Sequence, residues 1–268
     1  MTVVGADATI TGIARLLGVV LVCYLVAGQP LLGAWNARRF ERQLAAGSAG
    51  ASVAASVAGR SARMHRYSRS IALECVLIAG ALIVVGTGTG LRLSDVGIGW
   101  PRVSHGHAPF TIVGALGVVG SIGVLIVLRQ LATQRPIAMS GPPAVTRLAP
   151  TDDSERRRFG LLVVTSGLGE ELAYRGVLLG VFAAIAPGIA PARAVVVAAL
   201  VTALAHAYQG VSGMLTNGVV GGCLAVVYLG TASLLLPVLL HIALDLRLVA
   251  AASRGATPAP ARLAAAKV

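Results

Sequence analysis

Six ionisable residues interrupt stretches that are otherwise apolar. Glu170, Glu171 and Arg175 fall in one, His206 in a second, and His241 with Asp245 in a third. A charge at the middle of a bilayer costs about 2.5–3.5 kcal/mol even on a lenient insertion scale. Six such groups are sustainable only if they converge and compensate one another, and convergence implies a site. Glu171 and Arg175 are four residues apart, as are His241 and Asp245, so each pair shares a helix face. Glu170, Glu171, Asp245 and Arg175 sum to a net charge of −2, which two protonated histidines would neutralise. The chemistry such a set can do is hydrolysis. A desolvated glutamate can act as general base on water near neutral pH. A histidine can hold that water or protonate the leaving amine. A second His and an Asp can orient a ligand or stabilise a developing oxyanion. The competing reading of Glu171–Arg175 as a structural ion pair, with core histidines, explains each residue singly but not all six together.

The elements that must position these groups are membrane spans. The 268 residues are 56% hydrophobic and 12% charged, whereas a soluble domain carries about 25% charged residues. A helix crosses the hydrocarbon core in about 20 apolar residues. Leu16–Asn36 and Ser70–Leu91 predict the first two spans, Phe110–Leu128 contains a third, and Phe159 to Ala186 gives a fourth that stops at Pro187-Gly188. From Ala194 to Leu244 there is no Asp, Glu, Lys or Arg over 51 residues. That stretch must fold back, with turns expected at Gly210-Val211-Ser212-Gly213 and Leu229-Gly230-Thr231, giving three more spans. The expected fold is an all-α, polytopic transmembrane helix bundle of about seven spans.

Basic residues set the orientation. Ala34–Arg69 carries seven Arg against one Glu, and Arg129–Arg158 six Arg against three acids. Both loops are therefore expected in the cytosol, with the N-terminus outside and the C-terminus cytosolic. The net charge of +12 is thereby explained by anionic lipid headgroups. With aromatics at 4%, stacking surfaces for bases are scarce, so nucleic acid is not an expected partner. The first apolar stretch has no basic n-region and reads as a permanent helix rather than a cleaved signal. Residues 1–150 form an N-terminal three-helix region with basic loops, 151–250 the helix bundle carrying the ionisable groups, and 251–268 an Ala/Pro/Arg-rich tail expected to be disordered.

Glu170-Glu171-Leu172-Ala173-Tyr174-Arg175-Gly176 resembles the EExxxRG motif of the CPBP family of intramembrane peptidases, also called the Abi family. That family includes CAAX prenyl endopeptidases and bacteriocin-processing proteins. Ala205-His206 before Gly210 resembles its second motif, and Pro237 through His241 to Asp245 its third. The resemblance covers about residues 155–250. It implies that Glu170 activates water with His206 as partner, that His241 and Asp245 support the oxyanion, and that Glu171 and Arg175 shape the site. It also implies a membrane-associated or exported peptide as substrate. Two positions depart from the family pattern: Thr202 stands where an aromatic residue is usual, and Asp245 where Asn is frequent.

No cofactor is favoured. Zinc is the alternative, with His206, His241 and Glu170 as ligands, although the HExxH spacing is absent and Arg175 would repel a cation. Gly210-Val211-Ser212-Gly213 matches the string around a rhomboid nucleophile, but a turn explains it equally well. The rival functions are a non-catalytic partner-binding or immunity protein of the same fold and a proton-coupled transporter. The absence of a visible internal repeat counts against the transporter. Glu74 is expected to snorkel to the interface or pair with Arg66 or Arg69. Small residues at Gly114, Gly117, Gly120, Gly123, Gly176, Gly180, Gly218 and Gly222 are expected to serve helix packing. The three cysteines are expected to pack as small hydrophobes, and His105 and His107 carry no expected role. The predominance of Arg over Lys suggests a GC-rich bacterial genome and hence the inner membrane.

Overall fold

The computed structural model describes residues 12–48, 52–87, 93–101, 147–186 and 189–255, and among these there are helices and turns but no strand. The third expected span, its Gly114–Gly123 series, His105, His107 and residues 256–268 lie outside the described residues. The α-helices are α1 (Gly12–Cys23), α2 (Gln29–Ser48), α3 (Ser52–Thr87), α4 (Asp153–Glu171), α5 (Leu179–Ile185), α6 (Pro191–Ala205), α7 (Gly210–Thr231) and α8 (Leu235–Gly255). A π-helical turn, Tyr24–Gly28, joins α1 to α2, and a second, Leu172–Leu178, joins α4 to α5.

Among the described residues, three helical stretches are long and apolar enough to cross a bilayer: Gly12–Ala46, Val57–Thr87 and Ala207–Thr231. Their outward faces are greasy. Val76 is 69% exposed and Leu215 66%, a surface suited to lipid rather than water. Cys23 and Cys75 also face outward, so only Cys223 is even partly packed inside. Buried area was the expectation for all three; two of them instead meet the apolar exterior.

Within Ala34–Arg69, expected as a cytosolic loop, the Ala/Gly/Ser-rich linker Ala45–Gly59 is mostly helix among the described residues. α2 runs on to Ser48 and α3 begins at Ser52, because alanine-rich sequence favours helix wherever glycine and proline are sparse. α8 likewise continues through Ala251 to Gly255, the first residues of the expected tail. The α6–α7 turn lies at His206–Gln209, just before the expected Gly210–Gly213, whose residues form the first turn of α7. Gly210 supplies the positive φ of 78° there. The next turn follows Thr231, where Ala232 caps α7 in the left-handed region at φ 48°.

The α4–α5 rod is the centre of the bundle, and every residue from Glu171 to Val181 is buried. α1 approaches it where Gly18 faces Val181, and α8 where Gly167 faces Ile242. α6 and α7 pack through small residues, with Gly218 against Ala203, Gly221 against Thr202 and Gly222 against Ala199. Both π-helical turns contribute to one apolar cluster, Leu25 from the first and Ala173, Tyr174 and Leu178 from the second. The Tyr174 hydroxyl donates to Gln29 Oε1 at 2.7 Å, tying the motif helix to the first span.

The start of α4 is clasped to α3. Asp152 caps the helix by accepting from the Ser154 and Glu155 amides, each at 2.9 Å. Those amides, the one on Glu155 foremost, and the Arg60 guanidinium hold the Asp152 carboxyl below the ordinary carboxylate range. Glu155, fully buried, accepts from Arg63 Nε at 2.9 Å and from the Thr151 amide at 2.7 Å. Arg158 donates to Ser68 Oγ at 2.8 Å, and the Tyr67 hydroxyl donates to the Leu148 carbonyl at 2.6 Å.

Candidate active site

The second π-helical turn begins directly after Glu170-Glu171 and contains Arg175. π-turns inside α-helices recur at functional sites because the extra residue in the turn re-aims neighbouring side chains. Here the turn leaves Glu171 and Arg175 facing each other, as the i, i+4 spacing predicts. Arg175 Nη1 donates to Glu171 Oε1 at 2.9 Å, with both side chains at most 1% exposed. Arg175 Nη2 donates to the Gly221 carbonyl on α7 at 2.7 Å. Glu171 Oε1 also accepts from His241 Nδ1 at 2.7 Å, while His241 Nε2 stands 3.8 Å from Asp245 Oδ2. Glu171 is therefore the hub that joins three helices. Its Oε2 and Arg175 Nε are buried without a hydrogen-bond partner.

Glu170 points to a different place. It lines a cavity of about 100 Å³ together with His206, Tyr208, Tyr24, Arg66 and Glu74. At about 30 Å³ per water in the liquid, such a space suits a few water molecules. His206 Nδ1 meets the Thr202 carbonyl at 2.9 Å. A carbonyl only accepts, so Nδ1 carries the proton, and in the neutral ring Nε2 keeps its lone pair. Thr202 therefore acts through its backbone, and its small side chain fits beneath Gly221.

The six residues picked out by type thus form two adjoining groups. Glu170 and His206 share the cavity, whereas Glu171, Arg175, His241 and Asp245 form the polar network beside it. Of the zinc trio, Glu170 and His206 line the cavity, while His241 is not among its lining residues and donates Nδ1 to Glu171. Among the described residues no three His, Cys, Asp or Glu side chains stand where they could hold a metal ion.

Sequence reasoning missed the contribution of α3. Glu74 neither snorkels nor pairs with Arg69, which hydrogen-bonds Asn36 and stacks on Trp35 at 4.8 Å. Glu74 does not pair with Arg66 either: both line the cavity, and Glu74 Oε2 and Arg66 Nη1 are each buried without a hydrogen-bond partner. The available signal was a lone carboxylate well inside an apolar run.

An all-helical bundle with an apolar exterior and a charged interior cavity defines a membrane protein built around a polar site. Residues 156–247 match the family described as Type II CAAX prenyl endopeptidase Rce1-like, so the resemblance read from the motifs is borne out over about a third of the 268 residues. At the level of the family, that is a match to an intramembrane protease. No curated protein and no solved structure matches the chain.

Proposed function

We propose that the chain is an intramembrane endopeptidase that hydrolyses membrane-associated or exported peptides through a water activated by Glu170. The observation that carries this reading is that Glu170 from α4 and His206 from the α6–α7 turn line one cavity, with His206 Nδ1 held on the Thr202 carbonyl. The Glu170 carboxylate takes a proton from the water, and the hydroxide attacks the peptide carbonyl. As the C–N bond breaks, that proton passes to the leaving amine, with His206 holding the water and then the amine in line. His241, fixed by Glu171 through Nδ1, carries Nε2 on the side of Asp245 Oδ2, 3.8 Å away, and the two residues together support the oxyanion. Glu171 and Arg175 hold this geometry. No step of the reaction uses a metal.

The bundle sits in the bacterial inner membrane as about seven spans, with lipid on its apolar flanks. The basic ends of α2, α3 and α4, bearing Arg38, Arg39, Arg60, Arg63, Arg156 and Arg157, face the cytosol and anionic headgroups. On this reading the N-terminus lies outside and the C-terminus inside. Residues 151–250 are the catalytic part, and the first π-turn, α2 and α3 supply the wall opposite it.

The test is cleavage of a quenched fluorogenic membrane-peptide library by detergent-purified protein, run beside Glu170→Gln and an EDTA arm. Cleavage that survives EDTA and falls by about 10²–10⁴ in Glu170→Gln is expected. Cleavage abolished by EDTA and restored by zinc would overturn the metal-free step. Folded protein that cleaves no peptide, including its membrane-tethered forms, would favour a binding protein of the same fold.

A further inference from the structure

We propose that Glu74 is a positioning residue for Glu170: the two carboxyl groups share one proton, and the neutral Glu74 donates to Glu170 or to its water. This rests on the reading of Glu170 as the activating base. Glu74 comes from α3, outside the segment that matches the family, and lines the same cavity as Glu170 and His206. It reaches α4 because residue 169 is glycine. A Cβ there would lie 2.7 Å from Glu74 Oε2, so any larger residue immediately before Glu170 would push Glu74 away.

That buried Oε2 has no hydrogen-bond partner within the protein. An orphaned carboxyl oxygen over the base is costly unless it carries, or accepts, a proton inside the cavity. The titratable groups that line the cavity with Glu74 are Arg66 from its own helix, Glu170 from α4, Tyr24 from the first π-turn, and His206 and Tyr208 from the α6–α7 turn. His241 on α8 is committed to Glu171. With His206 neutral, Arg66 contributes +1 and the two carboxyls with one proton contribute −1, so the cavity closes neutral. Two ionised carboxylates in one low-dielectric space would leave it at −1 and repel each other, which is why such pairs titrate as a unit. In hydrolysis Glu170 accepts the water proton while Glu74 keeps its own, so Glu74 fixes which lone pair of the base faces the substrate.

Infrared pH-difference spectra of the detergent-solubilised full chain test the pair without reference to activity. A carboxylic-acid band near neutral pH is expected in the wild type. It should vanish in Glu74→Gln and also in Glu170→Gln, because either substitution lets the remaining carboxyl ionise beside Arg66. A band that merely shrinks in each variant, or is absent from the wild type, would overturn the shared proton. Cleavage supplies the second readout. Glu74→Gln, whose amide cannot lose a proton, should carry cleavage to higher pH than wild type, whereas Glu74→Leu should lower kcat about tenfold with KM unchanged. Identical pH profiles for wild type and Glu74→Gln would overturn the positioning role. Two failures remain separable. The expected band pattern without peptide cleavage would sink the peptidase reading alone, and Glu170-dependent cleavage without the pattern would sink the pair alone.

Discussion

Glu155 and Glu171 lie on one helix and both are fully buried, yet the two are treated in opposite ways. Around Glu155 everything is satisfied. Oε1 accepts from Arg63, and Oε2 accepts from the Thr151 amide and its hydroxyl, which in turn accepts from Arg63. Around Glu171, Oε1 takes two donors while Oε2 takes none, and the partnering Arg175 keeps a buried Nε unbonded. A closed ring of hydrogen bonds fixes two helices and has nothing left to offer. An open network costs stability, and its unused atoms are where a substrate or water can be met. The clasp is architecture, and the polar network below it is where chemistry is expected.

The largest effect should come from breaking both regions in parallel. Removing one partner of a buried ion pair costs about 3–5 kcal/mol, so Glu155→Ala and Glu171→Ala should each lower thermal stability in detergent by that order. Only Glu171→Ala should also abolish cleavage per folded molecule. Equal cleavage losses, measured by active-site titration against folded protein, would erase the distinction between clasp and network.

A smaller effect sharpens the network's boundary. A Cβ on Gly221 would come within 2.8 Å of the Thr202 side chain, and the Gly221 carbonyl holds Arg175. Gly221→Ala should destabilise by about 1–3 kcal/mol through overpacking and disturb both Arg175 and His206. The double variant with Thr202→Gly, which removes the Thr202 Cβ as well as Oγ1 and Cγ2, should recover part of the loss. A double-mutant cycle with no coupling would show that Thr202 and Gly221 do not connect the two halves of the site.

The smallest effect lies at the clasp. Because folding holds the Asp152 carboxyl below its usual range, its contribution is present above the unfolded value of about 3.9. That contribution is lost as pH falls through the lower folded value. Asp152→Asn, which can still cap the helix, should flatten this acid limb. Melting temperatures across an acidic pH series would reveal it, and an unchanged limb would assign the acid sensitivity to other groups.

Much of this was legible in the sequence because it is local. The i, i+4 placement of Glu171 and Arg175, the charge-free run from Ala194 to Leu244 that contains His206 and His241, and the stop near Pro187 all follow from spacing and composition alone. Thr202 was recognisable as a departure, and its consequence, a small residue beneath Gly221, needed the packing of α6 on α7. What stayed hidden is non-local. Arg63 meets Glu155 across 92 positions and His241 meets Glu171 across 70; no periodicity encodes such pairings. Glu74 was misread for the same reason, since a lone carboxylate on an apolar helix says nothing about which neighbour it will face. The second π-turn was invisible too, because its residues read as ordinary helix formers.

That turn alters how the motif can be compared with its relatives. A π-turn holds one residue more than the α-turn it replaces, so everything beyond Leu178 is rotated by about 100° relative to a straight α-helix through Asp153–Glu171. A helical wheel drawn through Glu170 and Gly180 therefore assigns Gly180 to the wrong wall. A homologue lacking the counterpart of Val177 would preserve every motif letter and its spacing while turning α5 by about a quarter of a revolution. In an alignment that deletion would be a trivial gap; in the folded bundle it would be a different enclosure around the same glutamates.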